Sequence, residues 1–253
     1  MAILERGSRK EGDMMGEYSY RKNRIFKYIT IQDKNVKIPD LPKGEDKLTL
    51  FMDIDDILLH VFICDQNFGY LANPASKDPE HEFFLKEIGQ PCLVYMRDYW
   101  EEFMDYLREN QDRIDPVIYS TGVQPYVESI LNYVDPGQQI FRTRLFQNAC
   151  YIFEIEEEEI LYLIKDISQF RNRDIRRSVL MDSKPTNFMM TPENCLPVFA
   201  YTAEYAPNTE DEKDPHLLNL IDELDGLKDA EDVRPILAKK FKIRQLLKNS
   251  KLI

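Results

Sequence analysis

Paired cysteines are missing from this chain. Its four cysteines, Cys64, Cys92, Cys150 and Cys195, are far apart, form no C-x-x-C pair and lie among apolar residues. That gives neither a zinc site nor a disulfide framework, so reduced, buried thiols are expected. The three histidines are scattered, and His60, directly behind Leu58-Leu59, is read as structural and not as a ligand. No window approaches the roughly 20 apolar residues that a membrane span needs. The first thirty residues lack the apolar core of a secretory signal and mix Arg and Lys with acids, which makes a poor transit peptide. An excess of positive charge is absent too. The formal net charge is -12, which argues against a nucleic-acid binder working by phosphate neutralisation. The acid is uneven: Glu204 to Asp232 carries eleven Asp or Glu against two Lys, and Arg234 to Lys251 carries seven Lys or Arg and no acid.

What is present begins with Leu48-Thr-Leu-Phe-Met-Asp-Ile-Asp-Asp-Ile-Leu-Leu-His60. An apolar run reads as a buried strand, here ending in two carboxylates, Asp53 and Asp55. Such carboxylates are costly unless paired, hydrogen-bonded or bound to a cation. In an open parallel sheet, ligands bind just past the carboxyl ends of the strands. An aspartate there suits nucleophilic attack on phosphorus, a second suits proton transfer, and both suit Mg2+. D-x-D by itself fits equally well a turn after a strand, with Asp55 or Asp56 capping the next element.

Residues 1–46 are polar and end in Ile38-Pro-Asp-Leu-Pro-Lys-Gly44; they read as an extended arm, with 25–31 able to pair as a strand. Residues 64–90, with Pro74 and Pro79, read as a loop with a short excursion. Pro91 to Met96 is a second strand. Trp100, Phe103, Met104 and Leu107 then fall at i, i+3, i+4 and i+7, the stripe of a helix packed on a sheet. Pro116 to Thr121 is a short strand ending in two hydroxyls, followed by a helix over 124–133. Gln139 to Ile164 departs from that pattern. Ile140–Phe146 alternates, while 151–155 and 160–164 flank Glu156 to Glu159, giving hairpin strands with an acidic tip. A basic segment, Arg171-Asn-Arg-Asp174, precedes a strand at 178–182 that ends in an acid, and 196–199 is the last strand. Helices are expected over 216–226 and 230–248, the latter basic and packed through Phe241, Leu246 and Leu247. Strand followed by helix, twice over, calls for an α/β fold with parallel central strands.

Asp53 and Asp55, Ser120, Lys165, and Asp182-Ser183 all stand at strand ends or just beyond them. An aspartyl-phosphate phosphotransferase needs this set: a nucleophile, a hydroxyl donor to phosphoryl oxygens, a cation and an oxygen-rich metal site. In order and spacing the chain resembles the haloacid dehalogenase-like superfamily, and within it the FCP/SCP, or NLI-interacting-factor-like, phosphatase domain, from about Lys47 to Lys239. The likeness rests on Met52 to His60, Val94-Tyr-Met-Arg97, Val117-Ile-Tyr-Ser120, Phe141 to Phe146, Lys165-Asp-Ile-Ser168 and Leu180-Met-Asp182. It implies a Rossmannoid parallel sheet flanked by helices, with a β-hairpin insertion, divided as arm 1–46, homology domain 47–238 and basic helical tail 239–253. It implies catalysis by Asp53, Asp55, Ser120 and Lys165, and a Mg2+ site at Asp53, Asp55, Asp182 and Ser183.

Departures from the family pattern shape the functional expectation. The Thr of D-x-D-x-T is Ile57, which cannot hydrogen-bond. The Asp or Asn that completes the metal site after Asp182 is Ser183, a shorter and weaker ligand. The usual Arg-Pro-Gly is Arg97-Asp98-Tyr99. Asp56-Ile-Leu-Leu-His60, Asp182-Ser-Lys184 and Arg171-Asn-Arg-Asp174 look like the presequence-receptor subunit of the mitochondrial inner-membrane import translocase, although that receptor lacks the paired aspartates kept here. The resemblance thus implies a catalytically degenerate, protein-binding subunit of a large mitochondrial inner-membrane assembly, translocase or respiratory complex, peripheral to the membrane and without nucleic acid. The alternative is an active Mg2+-dependent protein serine/threonine phosphatase.

Overall fold

The computed structural model of this chain describes residues 41–42, 46–64, 77–155, 160–203 and 213–250. The tip 156–159 and nearly all of the expected arm lie outside the described residues. Strands β1 (Leu48–Met52), β5 (Ile114–Tyr119), β6 (Thr143–Leu145), β9 (Ser178–Asp182) and β10 (Cys195–Pro197) form one sheet in the order β10-β9-β1-β5-β6. Every pairing in it is parallel. β1 lies at the centre and all five of its residues are buried, which is why it lacks the alternation of a half-exposed strand.

The period of two sorts its side chains between two cores. Leu48, Leu50 and Met52 join Val179 and Met181 of β9 in one, under α1 (Trp100–Glu109), α2 (Gln124–Val134) and α3 (His216–Leu227). Phe51 points the other way, into a core with Val117, Tyr119, Phe170 and Leu180, where it stacks on Phe170 at 5.1 Å. At about 1.5–3 kcal/mol for each large apolar side chain removed from water, this central strand fixes the sheet. The expected helical stripe holds: Phe103, Met104 and Leu107 are buried on α1.

Three expectations need correction. Residues 64–90 are not simply a loop. β2 (Leu59–Ile63), β3 (His81–Leu85) and β4 (Gln90–Met96) make a separate antiparallel sheet ordered β2-β4-β3. β2 and β3 are only partly buried, and Glu82 interrupts the apolar signal of β3. Residues 143–145 do not belong to the hairpin but form the parallel edge of the main sheet; only β7 (Tyr151–Ile155) and β8 (Ile160–Ile164) make the hairpin. The basic C-terminal helix is two helices, α4 (Arg234–Phe241) and α5 (Ile243–Asn249), broken at Lys242 in the left-handed region with φ 53°. Ile243 and Leu247 of α5 are buried, whereas Leu246 is exposed.

The small sheet is clipped to the helices by rings. His81 of β3 stacks on Tyr133 of α2 at 4.3 Å, and Tyr133 lies 6.4 Å from Trp100 of α1. All four cysteines are free thiols, three of them buried and Cys64 half-buried.

Candidate active site

Two carboxylates at the C-terminal ends of neighbouring strands converge on one ammonium. Asp53 follows β1, Asp182 closes β9, and Lys165 follows β8. Lys165 Nζ donates to Asp53 Oδ2 at 2.7 Å and to Asp182 Oδ2 at 2.6 Å, and all three residues are buried. Asp53 Oδ1 accepts the Ile54 N–H at 2.9 Å. Lys165 is also anchored by Asn187, whose Oδ1 accepts the Lys165 N–H at 3.3 Å while its amide donates to Asp182 Oδ2 at 2.9 Å. Breaking such a buried triad from one side costs about 3–5 kcal/mol, because a charge is left without a partner.

The electrostatics separate the acids. Burial pushes the Asp53 carboxyl up, but the charges of Lys165 and Lys184 and the bonds from Lys165 and Ile54 N–H bring it below its ordinary value. It is therefore an anion at neutral pH, with a free lone pair on Oδ1 for attack. Burial raises Asp182, and Lys165 only partly offsets it. Burial opposes the charge on Lys165, yet its two carboxylate partners hold it above its ordinary value. Asp55 behaves in the opposite way to Asp53. Burial, then the Asp53 charge, lifts it to about 7, against a hydrogen bond from Tyr126 that pulls it down. Tyr126 Oη donates to Asp55 Oδ1 at 2.7 Å. One carboxylate kept ionised beside one poised near neutrality is the division of labour that general acid–base catalysis requires.

Ser120 follows β5, the strand that pairs with β1, and is fully buried. Its N–H donates to Leu145 O at 2.9 Å, and its Oγ accepts the Gly122 N–H at 3.0 Å, leaving its own proton to give. Gly122 is required by space: a Cβ there would lie 2.8 Å from Val127 Cγ2 and 3.0 Å from Tyr126 Cδ1.

The structure therefore brings Asp53, Lys165 and Asp182 into direct contact. Asp55 turns toward Tyr126, and Ser120 and Ser183 stand past the ends of β5 and β9, the strands on either side of β1. Among the described residues no three or more His, Cys, Asp or Glu side chains form a metal-holding group. Of the four expected metal ligands, Asp182 has Oδ1 occupied by the Lys184 N–H at 2.7 Å and Oδ2 by Lys165 and Asn187. Asp53 retains a lone pair. These are hard oxygens only, and they fit Mg2+, which binds through one or two carboxylates and keeps several waters. Asp53 and Ser183 are the residues that would hold it.

A profile of NLI interacting factor-like phosphatases matches residues 48–234. The chain belongs to this family. It is 28% identical over 213 residues to the CTD small phosphatase-like protein 2 of Dictyostelium discoideum, covering 84% of this chain and 33% of that one. Against the human carboxy-terminal domain RNA polymerase II polypeptide A small phosphatase 2 the identity is 25% over 238 residues, covering 90% of this chain and 78% of that one. The chain thus spans a third of the slime-mould relative's length. Among solved structures, fission yeast RNA polymerase II CTD phosphatase Fcp1 bound to beryllium fluoride aligns at a TM-score of 0.46 and 16% identity, over 82% of this chain and 57% of that one. The likeness to the import receptor draws no support from these matches.

Two of the departures, Ile57 and Tyr99, have a visible structural consequence. Ile57 is completely buried in the apolar core. The loop is held instead by backbone, with Leu58 N–H to Ile54 O at 3.2 Å and Asp56 N–H to Leu59 O at 2.7 Å, and by Arg97 Nη1 donating to Ile57 O at 3.3 Å. Tyr99 takes the family's glycine position with φ 63°, a left-handed conformation that costs a side-chain-bearing residue roughly 1–2 kcal/mol. His60 is structural as expected, its Nδ1 lying 2.8 Å from Asp56 Oδ1. Tyr126 and Asn187 were not singled out from sequence. Tyr126 was detectable as the residue one turn into the helix after Ser120; nothing local marks Asn187.

Proposed function

We propose that this chain is a Mg2+-dependent phosphoprotein phosphatase domain working through a phosphorylated Asp53. The observation that carries this reading is Lys165 holding Asp53 ionised while Asp55, two residues on, titrates at about 7. In the first step an Asp53 carboxylate oxygen bonds to phosphorus as the bond to the seryl or threonyl oxygen breaks, and the Asp55 carboxyl gives its proton to that leaving oxygen. In the second step Asp55, now a carboxylate, takes a proton from water as the water oxygen attacks phosphorus and releases Asp53. Ser120 and Lys165 offset the charge on the phosphoryl oxygens and the nucleophile. Bound Mg2+ would neutralise phosphoryl charge and orient the group for in-line attack.

A second reading is supported by Ile57 and Ser183: a binding subunit, including the mitochondrial inner-membrane setting implied by the receptor-like triplets, in which the site has lost turnover. Hydrolysis of a phosphoserine peptide separates the two. We expect turnover that requires Mg2+ and is lost in Asp53→Asn, since the amide cannot attack. Absence of turnover by the folded wild-type protein at saturating Mg2+ would reject the phosphatase reading in favour of the second.

A further inference from the structure

The buried ionisable groups of the site do not balance. Two carboxyl groups, Asp53 and Asp182, share the single ammonium of Lys165, and all three residues are buried, so acid outnumbers base there. A phosphate arriving there adds negative charge, and a dry site strengthens every such repulsion. A cation would answer that charge, but the residue after Asp182 that could help to hold one is Ser183, not a carboxylate or an amide. A hydroxyl there is a weaker ligand.

The next residue is a lysine. Lys184 stands two residues past Asp182, and its N–H donates to Asp182 Oδ1 at 2.7 Å, so the backbone is tied to the Lys165 triad. Its carbonyl accepts the Asn187 N–H at 3.0 Å, and Pro185 comes next, which fixes the turn on its other side. Asn187 is itself bonded to both Lys165 and Asp182. The residue is half-buried, and its ammonium makes no hydrogen bond or ion pair among the described residues. That ammonium nonetheless acts electrostatically on Asp53 and on Asp55, across the two strand ends. A half-buried, unpaired ammonium on the turn that Asp182 ties to the Lys165 triad is available to an anionic ligand.

We propose that Lys184 is a second phosphate-binding cation of the site, supplying charge that the weakened metal position at Ser183 no longer secures. This rests on the phosphatase reading for the identity of the ligand, but it concerns binding and not turnover. Phosphate affinity therefore depends less on Mg2+ than a carboxylate or amide at 183 would make it.

The test is calorimetric binding of inorganic phosphate to the wild-type protein, with saturating Mg2+ and with EDTA, beside Lys184→Ser, Lys184→Arg and Ser183→Asn. Far-UV circular dichroism establishes that each variant is folded. We expect the wild type to keep phosphate affinity in EDTA, Lys184→Ser to lose about tenfold or more there, the scale of one charge-assisted hydrogen bond, and Lys184→Arg to retain most of it. Ser183→Asn should tighten Mg2+ binding. In peptide hydrolysis Lys184→Ser should raise KM more than it lowers kcat. Equal affinity of wild type and Lys184→Ser in EDTA would overturn the role of Lys184 and leave the phosphatase reading standing. Lys184-dependent phosphate binding without any peptide turnover would do the reverse. A wild-type protein that binds no phosphate in either condition would overturn both.

Discussion

Asp55 is where single atoms decide the chemistry. Its carboxyl must be protonated to assist the leaving serine oxygen, and it titrates at about 7, so kcat/KM on a phosphoserine peptide is expected to fall as pH rises through that value. Tyr126 opposes the rise by donating to the carboxylate form. Tyr126→Phe should therefore move the limb upward, by about one pH unit if the bond contributes at the low end for a charged acceptor. An unmoved limb would show that Asp55 is not the group titrating. Asp53, Asp55, Ser120, Lys165 and Asp182 were legible in the sequence because each sits at or just past the end of an apolar run. Tyr126 and Asn187 were not. Tyr126 had only its place early in the helix after Ser120 to mark it, and Asn187 had no local mark, because both depend on which helix and turn fold over the strand ends.

Among the elements, the join between β4 and the neighbouring loops depends on one guanidinium. Arg97 is buried; its Nε donates to Asp214 Oδ2 at 2.7 Å, and Nη1 donates to Phe199 O at 2.8 Å and to Ile57 O. Arg97→Met is expected to leave these acceptors unsatisfied and to lower stability by about 3 kcal/mol, measured as a shift of the urea midpoint without a change in slope. A midpoint within error of the wild type would mean that the loops are held by other contacts. The central strands and the first two helices could be read from the chain because burial on both faces, or a strict 3.6 period, leaves a strong trace. β2 and β3 could not: β2 runs on directly from the apolar Asp53–His60 stretch, and β3, short and half-exposed, follows Pro79 and carries Glu82. The break at Lys242 was hidden for another reason: a lysine at φ 53° carries none of the signal a glycine would give.

For the molecule as a whole, charge is the property that reaches farthest. At a formal -12, the surface repels a free phosphate and attracts basic peptide around it. A phosphopeptide flanked by Lys or Arg should show a kcat/KM roughly tenfold above one flanked by Asp or Glu at low salt, with the two converging near 0.5 M salt as screening sets in. Insensitivity to salt would place recognition in short-range contacts instead. The ring clip between the small sheet and the helices has a practical outcome of its own. Trp100 is the chain's single indole, and it sees Tyr133 and, through it, His81. Its emission is thus an intrinsic optical reporter for β3 lifting away from α2, readable in real time without any attached dye.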